Sequence, residues 1–257
     1  MVQLSKRLSA IADQVKPGSR VADIGSDHGL LPVFLAETGQ VERAIAGEIN
    51  PGPFQAACQQ VQAAEVESLV EVRLGDGLAI LSPGEVDTVC IAGMGGPLMV
   101  RILEEGWEEG KLEGVRRLVL QPNVGEEAVR RWLFDKGWML SGERILAEDG
   151  KCYEVLWADW PGKETEAPFP YSPVWLEGFG ILPPEWQFRM GPYLLREASP
   201  LFLEKWKREL VKLDRIIGQL AQSSQPEAVR KRKRMQAERN QLKELMACLQ
   251  RGKPSYS

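Results

Sequence analysis

The chain has 257 residues, room for one large domain or a medium domain with a smaller appendage. Apolar residues make up 44% and charged residues 26%, which excludes a disordered, collagen-like or disulfide-scaffold protein, and no apolar run reaches the length of a membrane span. The formal charge of −4 divides unevenly: residues 1–200 carry 18 Lys and Arg against 30 Asp and Glu, and residues 201–257 carry 14 against 6, so the basic tail is expected to meet a polyanion, nucleic acid before membrane.

Lys6, Arg7 and Asp13 interrupt the N-terminal apolar positions, so no secretory signal is read there and the cytoplasm is the expected location. Cys58, Cys90, Cys152 and Cys248 are scattered, and His28 is the single histidine. No Cys/His metal site is therefore expected, and the cysteines read as buried reduced thiols.

In chain order, Leu4, Leu8, Ile11 and Val15 predict an amphipathic helix over 3–15, closed by Pro17-Gly18. Strands are predicted at 20–25, 43–49, 70–74, 86–92 and 115–121, alternating with helices at 29–38, 51–66, 95–106 and 124–136. Asn50-Pro51 fixes one helix start. The alternation predicts a parallel sheet with right-handed crossovers. Two further strands, 138–147 and 151–158, follow one another with no helix between them, and an antiparallel hairpin is expected to end the sheet.

Residues 161–195 are rich in Pro and aromatics, including Pro168, Phe169, Trp175 and Trp186, and read as a linker packed on the body. Ser199-Pro200 and Gln225-Pro226-Glu227 open two long helices. Leu203, Trp206, Leu210, Leu213, Ile217 and Leu220 form a seam in the first, and Met235, Leu242, Leu245 and Leu249 a patchier one in the second. An antiparallel coiled-coil hairpin is predicted.

Asp23-Ile24-Gly25-Ser26-Asp27-His28-Gly29 lies where the first strand meets the first helix, the position at which open α/β sheets bind ligands. A dinucleotide fingerprint would place glycine at positions 27 and 30; Asp27 and Leu30 stand there, and a carboxylate disfavours a phosphate. Glu48 at the second strand's end suits two ribose hydroxyls, and Asp76-Gly77 after the third suits an adenine. Together they imply an adenosine without phosphates, as in S-adenosylmethionine, whose positive charges Asp27 could neutralise.

The strings Asp-Ile-Gly-Ser-Asp-His (23–28), Gly-Glu-Ile-Asn-Pro-Gly-Pro-Phe (47–54), Gly-Asp-Gly-Leu (75–78), Ile-Ala-Gly-Met-Gly-Gly (91–96), Leu-Gln-Pro-Asn (120–123) and Gly-Lys-Cys-Tyr-Glu-Val-Leu (150–156) resemble the bacterial tRNA (adenine-22-N1) methyltransferases. The resemblance spans residue 4 to about 250. It implies an α/β Rossmann-like class I methyltransferase domain and a C-terminal helical coiled-coil hairpin, with S-adenosylmethionine as cofactor and tRNA as partner, and neither a metal nor a membrane. It further implies that Asp23, Gly25, Ser26, Asp27 and His28 line the methionine end of the cofactor, Glu48 and Ile49 the ribose, and Asp76, Gly77 and Leu78 the adenine, with Ala92, Gly93 and Met94 facing the transferred methyl and Met94, Gly95 and Gly96 the candidate substrate contacts. Gly29-Leu30 departs from the Ala-aromatic pair expected there.

Adenine N1 has a lone pair in the ring plane and needs no general base, so alignment supplies most of the acceleration and a carboxylate can meet the cationic product. Asp27 is the candidate for that role and Asn123 for holding the base edge; Asp27 could instead only hold the cofactor ammonium, and Asn123 only cap a helix. Arg230, Lys231, Arg232, Lys233 and Arg234 encircle the second long helix and are candidate phosphate contacts. The expected organisation is a catalytic domain at 1–160, the linker at 161–195 and a tRNA-binding coiled coil at 196–257. Two alternatives stay open on residues alone: a small-molecule methyltransferase with the coiled coil as dimerisation arm, and a non-catalytic RNA- or partner-binding module that senses the cofactor.

Overall fold

The computed structural model describes residues 1–161 and 170–251 and the backbone of 255–256; Pro168 and Phe169 of the expected linker lie outside the described residues. Two compact units result, Met1–Pro170 and Tyr171–Ser257. Residues 171–195, read in the sequence as part of a linker, cluster with the C-terminal helices.

In the N-terminal unit, β1 (Ser19–Ile24), β2 (Val41–Glu48), β3 (Val70–Leu74), β4 (Thr88–Gly95) and β5 (Arg117–Val124) run parallel; α2 (Leu30–Glu37) connects β1 to β2, α3 (Pro51–Ala63) β2 to β3 and α4 (Gly96–Glu108) β4 to β5, a 3₁₀ turn lies between β3 and β4, and α5 (Glu126–Asp135) follows β5. The opening helix, α1 (Lys6–Ala12), is shorter than its apolar spacing predicts. The Ser5 hydroxyl accepts the Leu8 N–H at 3.2 Å and starts it late, and Gln14 and Val15 already donate in turns.

The sheet order is β3-β2-β1-β4-β5-β7-β6, with β6 at Met139–Glu148 and β7 at Lys151–Asp159. The hairpin expected at the sheet's end is present, but its second strand is the inner one. β7 pairs antiparallel with both β5 and β6, and β6 becomes the edge. Asp149 (φ 49°) and Gly150 (φ 73°) are both left-handed and make the two-residue loop that matches strand twist.

Hydrophobic burial alone does not explain how α5 sits on this hairpin. Arg130 of α5, fully buried, donates to Glu143 of β6 at 2.6 Å and to Glu154 of β7. Both carboxylates are as buried as the guanidinium, and removing the cation would strand two negative charges away from water.

In the C-terminal unit, β8 (Val174–Leu176), β9 (Gly180–Leu182) and β10 (Ser255–Tyr256) form a small antiparallel sheet, followed in sequence after β9 by α6 (Pro184–Met190) and α7 (Pro192–Glu197). Then α8 (Pro200–Leu220), capped by Ser199, and α9 (Pro226–Arg251) form the helical hairpin, tied across by Arg239 and Asp214 at 2.8 Å. Its seam differs from the expected one. Phe202, Trp206 and Leu213 are the buried residues of α8, and Leu242, Leu245, Met246, Cys248 and Leu249 those of α9; Leu210, Ile217, Leu220 and Met235 are half-buried.

Arg130→Met should destabilise the N-terminal unit by about 3–5 kcal/mol, the scale for breaking a buried ion pair from one side. Denaturant unfolding followed by tryptophan fluorescence checks this, and a loss under about 1 kcal/mol would mean that the buried pairs of Arg130 do not hold α5 to the hairpin.

Candidate functional site

The site is built at the carboxyl ends of β1, β2, β3 and β4. After β1 the chain turns through Gly25 (φ 71°), Asp27 (φ 45°), His28 (φ 73°) and Gly29 (φ 68°) before α2 begins. The amides of Gly25 and Ser26 donate to the Gly47 carbonyl at 2.9 and 3.1 Å, and the Asp27 amide donates to the Glu48 carboxylate. The β1 turn is thus folded over the end of β2. Gly75 donates to the Glu48 carbonyl at 2.8 Å, which brings the β3 exit to the same place.

Asp23 and Glu48 are only 4% and 5% exposed. Ser26 Oγ donates to Asp23 Oδ2 at 2.6 Å. Burial pushes the Asp23 carboxyl up to about 7, against the lowering by Ser26 and with a further push from Glu48. Burial raises Glu48 as well, opposed by the Asp27 amide. Asp27 itself lies open, its carboxylate 83% exposed and 3.5 Å from His28 Nε2. Ile49 and Asp76 are exposed at the rim, and Asp76 precedes a 3₁₀ turn, Gly77–Ile80. Leu78 belongs to a different environment: it is buried, and a Cβ on Gly106 of α4 would lie 2.3 Å from its Cδ1. Its side chain is committed to α4, leaving only its backbone for a ligand.

The end of β4 carries no polar side chain, yet it is firmly held. Gly93 is left-handed (φ 78°), and its N–H donates to Gln121 Oε1 at 3.1 Å while its carbonyl accepts from Asn123 Nδ2 at 2.6 Å. Gln121, fully buried on β5, also accepts from Arg7 Nη1 of α1 at 2.7 Å and donates to the Pro122 carbonyl and to Asn123 Oδ1. Asn123 therefore does not cap α5, whose N-cap is Gly125. Met94 reaches across to the β1 turn, where a Cβ on Gly25 would lie 2.6 Å from its Cε. Gly95 precedes α4 as its N-cap, and Gly96 touches backbone: a Cβ there would meet the Gly125 carbonyl oxygen at 2.2 Å, so no side chain fits.

Most of the expected cofactor-site residues meet around one opening. The basic run, Arg230 to Arg234, lies in the C-terminal unit on α9. There Arg230, Lys231 and Arg234, with Glu227, line a concavity of about 400 Å³. Sequence reasoning missed Gln121 and Arg7. A glutamine ending the apolar run Leu118-Val119-Leu120 was the available signal, because a polar group buried in a central strand must have assigned partners.

Asp23 carries a testable consequence for stability. Its ordinary value is 3.8 and its folded value about 7, so the folded chain retains a proton that the unfolded chain releases. The stability it contributes is complete below 3.8 and is lost as pH rises through about 7. Asp23→Asn cannot ionise, so its stability relative to the parent should be greater at about pH 8 than at about pH 5. Denaturant unfolding of both proteins at the two pH values checks this; an equal difference at both would refute the raised value.

Residues 21–250 match the family model for tRNA (adenine(22)-N(1))-methyltransferase, TrmK. The chain is 40% identical over 241 residues to the tRNA (adenine(22)-N(1))-methyltransferase of Bacillus subtilis (strain 168), covering 94% of this chain and 95% of that one. The crystal structure of the B. subtilis m1A22 tRNA methyltransferase TrmK superposes with a TM-score of 0.84 at 38% identity, covering 96% of this chain and 100% of that one. Streptococcus pneumoniae Sp1610, solved in complex with S-adenosyl-L-methionine, gives 0.77 at 38% identity, with 95% and 100% covered. From residue 21 to residue 250, strand ends and helical hairpin included, the chain belongs to the tRNA (adenine(22)-N(1))-methyltransferase family, TrmK.

Proposed function

We propose that this protein transfers a methyl group from S-adenosylmethionine to N1 of adenine 22 in tRNA, in the cytoplasm, with the N-terminal unit carrying the chemistry and the C-terminal unit gripping the tRNA. Family membership supports the reaction. The observation that carries the assignment to this opening is the convergence of buried Asp23 and Glu48 with the Asp27 amide at the carboxyl ends of β1 and β2. The residues fit the cofactor: two buried acids suit a ligand that brings hydroxyls and positive charge, β4 itself ends in Met94 and glycines without a charged side chain, and the Arg7 guanidinium beside Gly93 is held by Gln121.

S-adenosylmethionine supplies an electrophilic methyl on a sulfonium. We assign the rest to the chain. Glu48 has one oxygen on the Asp27 amide and offers the other to a ribose hydroxyl. Asp76 and the backbone of Gly77 and Leu78 meet the adenine. Asp23, Gly25, Ser26, Asp27 and His28 surround the methionine end. Ala92 and Gly93 face the methyl, and Met94, Gly95 and Gly96 border the target base. The exposed Asp27 carboxylate is free to turn toward the positive charge that appears on the methylated ring. Gln121 and Asn123 act as positioning residues, because they fix both polar groups of the Gly93 backbone.

Labelled methyl should enter a tRNA transcript with adenine 22 and should not enter one with guanine there. Glu48→Ala should weaken cofactor binding about 10 to 100-fold, the scale of a hydrogen bond to a charged group. Gln121→Leu should keep cofactor affinity by calorimetry and lower turnover. Methylation that is indifferent to position 22 sinks the target; unchanged cofactor affinity in Glu48→Ala sinks the ribose role.

For the tail, replacing Arg230, Lys231, Arg232, Lys233 and Arg234 by Gln retains helix propensity and removes the charge. Cofactor binding should be unchanged, and tRNA affinity should fall with a slope of log affinity against log salt shallower by about 0.7–0.9 per lost phosphate contact. A filter-binding series across salt concentrations that superposes on the parent's would assign recognition elsewhere.

A further inference from the structure

A guanidinium without a counterion stands beside the end of β4. Arg7 of α1 is half-buried, with Nη1 2.7 Å from Gln121 Oε1, and a Cβ on Gly93 would lie 3.4 Å from that nitrogen. Its Cζ is 5.8 Å from the ring centroid of Tyr153, on β7. Among the described residues, Nε and Nη2 have no hydrogen-bond partner, and no carboxylate comes within 4.0 Å of the guanidinium. The other arginines of the N-terminal unit that are not exposed each end on a carboxylate, as Arg73 does on Glu85 at 2.6 Å and Arg117 on Asp159 at 2.8 Å. A cation drawn partly out of water that meets only a neutral amide and a ring lacks the partner that such a charge normally has.

The surrounding field restricts which anion can arrive. Asp23 and Glu48 are buried at the same edge, and the Arg7 charge is near enough to Asp23 to oppose the rise that burial gives it, although the two do not touch. A phosphate would bring net negative charge beside two acids, whereas a zwitterion brings none. The methionine end of S-adenosylmethionine is a zwitterion, with an ammonium and a carboxylate on one carbon, and that carboxylate is the cofactor's single anionic group. The acids of the β1 turn can meet the ammonium but have nothing to give the carboxylate. The sheet order points the same way. Asp76 follows β3, Glu48 ends β2 and the Asp27 turn follows β1, so adenine, ribose and methionine would lie in that order across the strand ends. The next strands along the line are β4 and β5, which carry Gly93 and Gln121, and Arg7 is fastened to Gln121.

We propose that Arg7 receives the α-carboxylate of the cofactor on its Nε and Nη2 edge, a planar fork against a planar acceptor, while Nη1 stays on Gln121. Gln121 also accepts the Gly93 N–H, so this contact ties the cofactor's tail to the strand end that borders the target base. Arg7 thereby determines specificity for a cofactor with an intact amino-acid tail. The proposal rests on the reading of this opening as the S-adenosylmethionine site.

Calorimetry with two ligands tests it: S-adenosylhomocysteine, and its decarboxylated form, which keeps the ammonium and lacks the carboxylate. The parent should bind the intact ligand about 10 to 100-fold more tightly, the scale of a hydrogen bond between charged groups. In Arg7→Gln that preference should vanish or invert, because the acids alone favour the more positive ligand. A parent that binds both ligands equally overturns the proposal without recourse to the variant. A preference in Arg7→Gln as large as the parent's places the carboxylate on another group. If Arg7→Gln instead keeps the preference and loses tRNA affinity with a shallower salt slope, the guanidinium serves a tRNA phosphate and the proposal fails. Should the parent bind neither ligand, the reading of the opening itself falls.

Discussion

β1 is hydrogen-bonded on both flanks, to β2 from Ser19 to Ile24 and to β4 from Val21 to Ile24, and the chain runs outward from it in opposite directions across the sheet. Parallel strands joined by right-handed crossovers put the helices after β1 and β4 on opposite faces. The two loops must diverge at the carboxyl edge, which leaves a crevice between them. The placement of Asp23, Glu48, Asp76 and Gly93 follows from this one constraint, because each ends or follows a strand that reaches that edge.

The opening is kept at an energetic cost. Asp27 and His28 are left-handed without being glycine, each costing roughly 1–2 kcal/mol. The run aims the Asp27 amide at Glu48, and a hydrogen bond to an ionised acceptor, about 1.5–3 kcal/mol, offsets much of that. The second cost is electrostatic. Glu48 and Asp27 each raise the energy of ionising Asp23 beyond what burial does, and Ser26 and Arg7 relieve only part of it. Local strain and unfavourable carboxylate burial at one point are expected of a site that is completed by its ligand. A ligand with positive charge lowers the cost of the ionised acids, whereas a phosphate would raise it.

The sequence made the parallel strands legible because each is a short β-branched run closed by Gly, Asp or Asn, and the strand-end acids stand out against that background. The inner position of β7 was not legible. Alternation predicts that 138–147 and 151–158 are strands, but which of them meets β5 depends on long-range pairing such as Leu120 with Leu156. Arg130 was equally opaque: in a helix sequence it reads as solvated, and only the fold brings Glu143 and Glu154 to it. Leu78 and Asn123 show the same limit at the site. Their position beside the opening could be read from the motif, whereas the direction of each side chain was decided by Gly106 and by Gly93.

The helical hairpin shows why a basic run can be carried there. A pair of helices can bury only one stripe of each, and here every buried residue of α9 lies between Leu242 and Leu249, with those of α8 between Phe202 and Leu213. In an antiparallel pair these stretches face one another at the end remote from the 221–225 turn. Toward the turn, Leu220 and Met235 are half-buried, and Arg239 with Asp214 makes an exposed pair worth a few tenths of a kcal/mol. The turn-proximal half of α9 therefore contributes little to stability. Like charges three and four apart, as Arg230, Lys231 and Arg234 are, disfavour the helix by about 0.2–0.5 kcal/mol per pair, a penalty too small to unfold a helix anchored at its other end. A stretch that stability does not need, and that repulsion keeps extended toward solvent, is where counterion release on meeting a phosphate backbone is least opposed by lost packing.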